Sequence, residues 1–334
     1  MTTSIFPAQG GATGLTEASS FLPDLWSDEI IAAYKKNLVL AQFVRKMSFK
    51  GKKGDALIIP NPSRGLAAVT KAENTAVTMQ NLSQSSITVN LNAHKEVSYL
   101  IEDIVEVQAL PSLRKHYTDD AGYAMAKQVD DDLWALVKSL GDGDGSDYTH
   151  SRSFQFNTST GVLEAYDADG TGDIGAFSDV GFRRAIQYLD DSDQPMDGRV
   201  LVIPPSTRNT LNGINRYTEQ AFVGEVGNAN TIRNGEVGNL YGMGVFVSSN
   251  ADSASATAAF PDSGTAIARV CLMGHKDSFA LVEQVGIRSQ TQYKQEYLGT
   301  LFTADTLYGV KAMRTAATVG AATSSSAFAL AVPA

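Results

Sequence analysis

The longest periodic pattern in the chain runs from residue 111 to residue 140. Apolar residues recur there at steps of three and four: Leu113, Tyr117, Ala121, Met125, Val129, Leu133, Leu136 and Leu140. This spacing predicts one face of an α-helix. Pro111 suits the first turn of a helix and Gly141 suits its C-cap. A helix over these 30 residues would be about 45 Å long. Charged residues fall mostly on other faces, and we interpret Asp130 and Asp131 as solvated.

Strand patterns precede this helix. Residues 47–60 (MSFKGKKGDALIIP) predict a hairpin that turns at Gly51–Gly54. Residues 85–101 alternate apolar and polar positions, with Ile87, Val89 and Leu91 on one side. A polar excursion, 61–84, separates the two strand patterns and predicts a long, thin two-stranded loop. Because an isolated two-stranded ribbon is marginal in water, we expect a partner surface from the same chain or a neighbouring subunit.

After the long helix the patterns mix, which indicates an α+β fold. Residues 141–176 predict an exposed loop with one short strand pair, and 179–189 a second amphipathic helix. A buried strand, 199–203, ends at Pro204, and Ser206 is expected to cap the next helix. Further strands are predicted at 245–247, 266–273, 279–287 and within 292–314. Residues 1–20 suggest an extended arm, 24–39 a short helix, and the tail after Ala317 a surface segment.

Composition limits the possible functions. The net charge of −9 argues against a dedicated nucleic-acid binder. The single cysteine, Cys271, excludes an intrachain disulfide and lies in a strand pattern, so we expect a buried apolar role. No apolar run reaches the length of a membrane span, and the N-terminus lacks a signal-peptide pattern. We therefore expect a soluble protein from a reducing compartment.

Catalytic and metal-binding signals are weak. None of the common nucleophile-elbow, zinc-protease, phosphate-loop or dinucleotide motifs is present, and the four histidines have no metal-like spacing. Residues 167–174 (DADGTGDI) resemble the start of a calcium loop, with Asp167, Asp169 and Asp173 as candidate ligands. The twelfth position is Ser178 instead of a bidentate Glu, so an acidic, Gly-rich turn is the competing interpretation. We predict no cofactor and no enzymatic activity.

Residues 200–250 carry a resemblance. A strand that ends at two prolines (VLVIPP, 200–205) is followed by a polar helix and by 234–250 (NGEVGNLYGMGVFVSSN). This order resembles the axial domain of tailed-bacteriophage major capsid proteins of the Hong Kong 97-type fold, especially podovirus-like members. The closing segments resemble that family's last strands: 284–288 (QVGIR), 293–297 (YKQEY) and 308–314 (YGVKAMR). The loop 141–176 has no counterpart in the family pattern.

The resemblance implies a division of the chain and a set of contacts. The expected parts are an N-terminal arm (1–23), a short helix and first strand (24–49), an extended β-loop (50–93), a peripheral domain with the spine helix (94–177), an axial domain (178–275), return strands (276–318) and a tail (319–334). Expected inter-subunit contacts are Arg64, Lys71 and Glu73 in the extended β-loop. Expected axial contacts are Arg216, Tyr217 and Arg233.

The resemblance also implies an icosahedral virion shell of pentamers and hexamers around packaged double-stranded DNA, without sequence-specific binding or a membrane. Scaffolding and portal proteins are implied partners, and assembly in the host cytoplasm and maturation of a precursor shell are implied events. Two alternatives stay open at this point. One is an encapsulin-like compartment with the same fold, and the other is an enzyme with a calcium-stabilised site.

Overall fold

In the computed structural model, the described residues are 38–51, 53–62, 68–77, 79, 84–104, 113–140, 153–165, 174–191, 194–218, 238–251, 268–313 and 327–333. They form an α+β fold with two sheets, a separate two-stranded ribbon and one long helix. The predicted arm (1–23) and nearly all of the predicted helix 24–39 lie outside these residues. Leu38 and Val39, the last two residues of that prediction, are not helical.

The larger sheet has seven strands. In chain order they are β5 (Ser153–Phe156), β6 (Leu163–Ala165), β7 (Arg199–Ile203), β8 (Asn239–Leu240), β9 (Met243–Val247), β10 (Ala268–His275) and β13 (Ala327–Pro333). Their spatial order is β6-β5-β13-β10-β7-β9-β8, so the C-terminal strand β13 lies between β5 and β10. The strands of one sheet therefore come from three separate parts of the chain.

The two faces of this sheet differ in side-chain size, and β13 shows why. Its alanines, Ala327, Ala329 and Ala331, face the C-terminal part of the long helix α1 (Leu113–Ser139). Its larger residues, Phe328, Leu330 and Val332, face the core under helix α2 (Asp179–Asp191). All six are nearly inaccessible to solvent. The prediction that the tail lies on the surface is wrong. Alanines alternate with larger apolar residues in β13 because both faces of this strand are buried.

The second sheet has four strands in the order β1-β11-β12-β4. They are β1 (Arg45–Ser48), β4 (Ala93–Glu102), β11 (Phe279–Lys294) and β12 (Gly299–Ala312). β1 is parallel to β11, whereas the two other pairs are antiparallel. The predicted hairpin across Gly51–Gly54 is wrong: β1 belongs to this sheet and the next strand to the ribbon. The predicted strand 85–101 likewise divides at Leu91 and Asn92 between ribbon and sheet.

Helix α1 confirms the predicted spine and joins the two sheets. Leu133, Trp134 and Val137 near its C-terminal end are almost completely buried. They share one apolar cluster with Val202 and Val270 of the large sheet and Leu281 and Tyr308 of the small one. The predicted face is correct for Ala121, Met125 and Leu133, whereas Tyr117 is 44% exposed. The helix therefore connects two layers near its C-terminal end, and near its N-terminal end it contacts β4 of the small sheet, where the Tyr117 and Tyr99 ring centroids are 5.9 Å apart.

Two short helices complete the larger unit. α3 (Pro205–Asn212) and α4 (Asn215–Thr218) follow β7. The predicted cap at Ser206 is wrong: Pro204 is the N-cap and Pro205 the first helical residue, a position where a missing N–H has no cost. The predicted strand pair within 141–176 exists as β5 and β6, but Phe154 and Phe156 are buried in the core, so this part is not an exposed loop.

Candidate assembly surfaces

The extended β-loop is a two-stranded ribbon. β2 (Ala56–Pro62) pairs with β3 (Gln84–Asn90) in antiparallel register. Val89 and Leu91 at its base pack against Val282 of the small sheet. Among the described residues, no third strand pairs with the ribbon. The predicted two-stranded architecture of the loop is confirmed, and away from its base the ribbon has no core of its own.

The base of this loop requires a glycine in the neighbouring strand. A Cβ placed on Gly309 of β12 would lie 2.2 Å from the backbone oxygen of Asn90 and 3.1 Å from its carbonyl carbon. Such contacts are far below van der Waals separation, so the backbone of β3 rests directly on β12. The loop thus leaves the sheet at a fixed point.

The loop exposes apolar and charged side chains together. Ile58, Val69, Val77 and Met79 are 58–91% exposed. Lys71 and Glu73 are also exposed. Lys71 precedes a turn that contains Glu73 and Asn74, in which Asn74 has a φ of 60° and the Thr75 hydroxyl donates to the Ala72 carbonyl at 2.7 Å. Arg64, the third predicted contact, lies outside the described residues. Since exposed apolar clusters indicate binding surfaces, the loop has the composition of an interface.

Arg216 and Tyr217, predicted as axial contacts, meet at Asp179 within the same chain. The Asp179 carboxylate accepts hydrogen bonds from Arg216 Nη1 at 2.7 Å, from the Tyr217 hydroxyl at 2.6 Å and from the Tyr241 hydroxyl at 2.7 Å. Arg183 adds an ion pair at 3.1 Å. Burial opposes ionisation, but these donors hold the pKa of Asp179 below its ordinary value. Arg233 lies outside the described residues.

Tyr241 reaches this carboxylate because of the turn between β8 and β9. Tyr241 and Gly242 both have positive φ angles, 48° and 82°, as a two-residue hairpin turn of the primed type requires. A non-glycine residue in this region is uncommon, and the hydrogen bond to Asp179 helps to hold it there. The Arg216 side chain remains 53% exposed beside this cluster. The Asp179 cluster thus stiffens this part of the large unit while leaving a guanidinium at its surface.

A second carboxylate cluster joins three parts of the chain. Asp130 on α1 is completely buried and accepts from the Leu40 backbone N–H at 3.0 Å and from Asn250 Nδ2 at 2.9 Å. The same Asn250 amide donates to Asp131 at 2.8 Å. Burial raises the pKa of Asp130, and the hydrogen bonds from Asn250 and the backbone partly offset this rise. The interpretation of Asp130 as solvated is therefore wrong.

Asp132, the next residue, extends this junction to the small sheet. Its carboxylate accepts from the Tyr308 hydroxyl at 2.6 Å and lies 3.7 Å from Lys95 Nζ. Three successive aspartates thus contact the segment at Leu40, the segment that follows β9, and the strands β12 and β4. The helical period gave no indication of this junction, because consecutive acidic residues on a long helix are typical of a solvated face.

The far end of the small sheet carries a cluster of exposed aromatic and apolar side chains. Tyr293, Tyr297, Leu298 and Ile104 are 49–66% exposed, and the Tyr293 hydroxyl donates to Asp103 at 2.8 Å. Along the same strand, Arg288 forms two hydrogen bonds of 2.7 Å with Asp305. The Arg288 guanidinium lowers the pKa of Asp305 to about 2. Exposed tyrosines beside paired charges are typical of protein interfaces.

Few of the described residues are candidates for catalysis or metal binding. Cys271 is fully buried in β10 and accompanied by the Thr207 hydroxyl, and burial raises the pKa of its thiol to about 12. This confirms the predicted apolar role. Asp167, Asp169 and Asp173 lie outside the described residues, and within those residues no group of His, Cys, Asp or Glu has the geometry of a metal site. Among the described residues, no helix is long and apolar enough to cross a membrane.

Comparisons with known proteins agree with this architecture. The chain is similar in structure to a chain from Mycobacterium phage Che8, with a TM-score of 0.68, 20% identity, and coverage of 93% of this chain and 97% of that chain. The capsid structure of the cyanophage P-SCSP1u matches with a TM-score of 0.68 and 15% identity, and the match covers 98% of this chain and 96% of that chain. The capsid of Ralstonia phage GP4 matches with a TM-score of 0.65 and 14% identity, and the match covers 99% of this chain and 98% of that chain. No curated protein matches the sequence.

These similarities confirm the Hong Kong 97-type fold that the sequence predicted. A family model described as "Phage capsid protein" matches residues 95–323, which include the spine helix, most of the large sheet and β11 and β12. This range covers more than half of the chain. The chain therefore belongs to the phage capsid protein family and is a structural protein of the capsid shell.

Proposed function

We propose that this capsid protein closes an icosahedral shell from pentamers and hexamers, in which the extended β-loop of each copy lies on an adjacent copy. The observation that carries the proposal is the loop itself. A two-stranded ribbon with exposed Ile58, Val77 and Met79 is marginal when solvated and gains stability on a partner surface. Heterologous contacts of this kind close into rings when the rotation between copies is right.

The two sheets suggest the two domains of the subunit. We assign the small sheet and α1 to the peripheral domain. We assign the large sheet with α2–α4 to the axial domain around the five-fold and six-fold axes. On this assignment β5, β6 and β13 join the axial domain, although the sequence placed them in the peripheral domain and in a terminal tail. Arg216 is placed to contact a neighbouring axial domain, because its side chain is half exposed beside the Asp179 cluster.

Packaged double-stranded DNA is the proposed content of the shell. The net charge of −9 suits a container, because each phosphate neutralised by a Lys or Arg would add salt-dependent affinity and hold the cargo to the wall. We further propose that a scaffolding protein and a portal take part in assembly within the host cytoplasm. Similarity to capsid chains of gene-transfer-agent particles supports assembly into shells of this general kind.

The direct test is to replace Arg64, Lys71 and Glu73 together by Ala and to compare shell formation by electron microscopy. We expect few or no closed shells, because the charged contacts of the loop with the adjacent copy are lost. The circular dichroism spectrum of the variant subunit should match that of the unmodified subunit, since Lys71 and Glu73 lie in the exposed loop. Normal shell yield from a folded variant would contradict the assignment of the loop.

A further inference from the structure

The extended β-loop has two outer edges, and they differ in their capacity to pair with another strand. The Leu91 N–H donates to the Asp55 carbonyl at 2.8 Å, which fixes the alternation of bonded and non-bonded pairs along the ribbon. In this alternation Pro60 and Pro62 fall at non-bonded positions, so their backbone nitrogens face away from β3. Proline has no N–H to donate. The outer edge of β2 therefore lacks two donors, whereas β3 contains no proline.

A second unpaired edge lies on β11. β1 pairs with β11 only from Ala280 to Glu283. Residues near Gln284 and Gly286 are then covered by the chain around Lys50 and Gly54, because Gln284 Nε2 donates to the Gly54 carbonyl at 3.0 Å and Lys50 Nζ lies beside Gly286. From residue 287 to residue 294, no strand among the described residues pairs with this side of β11. We call residues 287–294 the open edge.

The central part of the open edge, residues 289–293, lacks the devices that normally prevent strand addition, whereas Arg288 and Lys294 near its two ends are charged. It has no proline, and its last register shift ends at Arg288. Arg288 does not extend freely into solvent, because both of its bonds hold it to Asp305 on β12. The next five residues, 289–293 (SQTQY), are exposed and uncharged. β3 carries no charged residue either, so the two edges can approach without repulsion between like charges.

We propose that the outer edge of β3 in one copy pairs with the open edge of β11 in an adjacent copy, except at Asn90, where β3 already contacts Gly309 of its own chain. The partner is a second copy of this chain, and the recognition is strand addition, in which backbone hydrogen bonds supply the contact. The inference rests on the proposed function and specifies how the extended β-loop is held. It extends the ribbon to a third strand and gives the exposed backbone of β11 its missing partners. Pairing through β2 is disfavoured by Pro60 and Pro62.

Engineered cysteines test this pairing against a clean background. Cys271 is the single cysteine of the chain and is inaccessible, so an added thiol is the reactive one. We would co-assemble Ser86→Cys chains with chains that carry Gln290→Cys or Thr291→Cys, and oxidise the shells. The two β11 positions are needed because successive side chains of a strand point to opposite faces. As a matched control, Ile58→Cys places an exposed thiol on β2, one strand farther away.

We expect covalent dimers from shells that combine Ser86→Cys chains with one of the two β11 variants. Single variants should give none. The Ile58→Cys combinations should also give none, because strands two positions apart in a sheet are separated by roughly 9.5 Å, beyond disulfide reach. Dimers from Gln290→Cys or Thr291→Cys alone would overturn the inference in favour of β11 edges that pair with each other. Shells without mixed dimers would also overturn it, while leaving the proposed function intact.

Hydrogen exchange of the unmodified protein provides a second measurement, independent of any substitution. Amides within 84–90 and 287–294 that face the new pairing should exchange about tenfold more slowly in shells than in dissociated subunits, the effect of closing a backbone hydrogen bond. Amides of β2 that face outward should slow less. Equal exchange of the open edge in both states would overturn the pairing. Failure of the unmodified chain to form shells under any condition would overturn the proposed function with it.

Discussion

Asn250 holds two carboxylates with one amide group, and this arrangement illustrates how single residues connect the parts of the subunit. Its Nδ2 lies within 2.9 Å of both Asp130 and Asp131, and the residue is 3% exposed. Asp130 has no exposed surface from which water could replace a lost donor. Removing a partner from a buried charged group costs more than removing one from a solvated group.

We predict that Asn250→Ala lowers the free energy of unfolding by about 2 kcal/mol, within the range for a buried polar group left without its donor. Chemical denaturation of the dissociated subunit measures this change. Asn209→Ala is the matched control, because Asn209 is exposed on α3 and its loss should change stability by less than about 0.5 kcal/mol. A cost for Asn250→Ala as small as the control's would contradict the role of Asn250.

Asp305 gives a pH prediction with a definite sign. The Arg288 guanidinium lowers its pKa from 3.8 to about 2, so the folded state binds this proton less readily than the unfolded state. The stabilisation is present above pH 3.8 and is lost as the pH falls towards about 2. We predict that Asp305→Asn makes the decline of the melting temperature over this interval shallower, and that Arg288→Gln does the same. An unchanged slope in both variants would contradict the ion pair.

At the scale of elements, β13 is the clearest test of the fold. The strand lies in the middle of the large sheet, and Leu330 is completely buried under α2. We predict that Leu330→Ala costs about 2–5 kcal/mol in subunit stability, as is usual for a large-to-small change in a core. Denaturant unfolding provides the measurement. If the terminal segment lay on the surface, the same change would have almost no effect.

The elements with strong periodicity could be predicted from the sequence, and those defined by distant contacts could not. The spine helix, α2 and β7 have long or strongly apolar patterns, and their predicted bounds agree closely with the structure. β13 was missed because its alternating alanines look like a small, featureless tail. The change of partner at Leu91 and Asn92 was missed because alternation continues unbroken across it. Pairing partners are a tertiary property that local pattern does not contain.

The candidate surfaces likewise include features that the sequence predicts and features that depend on distant contacts. Lys71 and Glu73 were placed correctly in an exposed loop, because a polar excursion between two strands has few other possible structures. The role of Arg216 and Tyr217 as contacts between subunits stays a prediction. Their shared partner within the chain, Asp179, was not predicted, since it lies 37 and 38 residues away in sequence. Tyr241 was visible in the sequence only as a residue before Gly242 in a hairpin turn. The Asp130–Asn250 junction spans 120 residues and left no local signal.

At the scale of the whole molecule, the subunit is a pair of sheets joined by one helix, with an extended β-loop that projects from the smaller sheet. Its internal core is continuous across α1, and exposed apolar side chains lie on the loop, at the far end of the small sheet and on the large-sheet unit, where Met196 is 73% exposed. Many such contacts per copy stabilise a closed assembly even when each is weak, because neighbouring contacts raise the effective concentration of the rest. In the proposed shell, the subunit is therefore completed by its neighbours.

The central claim is that this chain builds a closed shell from pentamers and hexamers. The most direct measurement is electron microscopy of the purified full-length protein, expressed alone and together with the products of its neighbouring genes. The account predicts uniform closed shells in at least one preparation, with the extended β-loop of each copy resolved on an adjacent subunit. A protein that remains monomeric in both preparations, while folded, would contradict it.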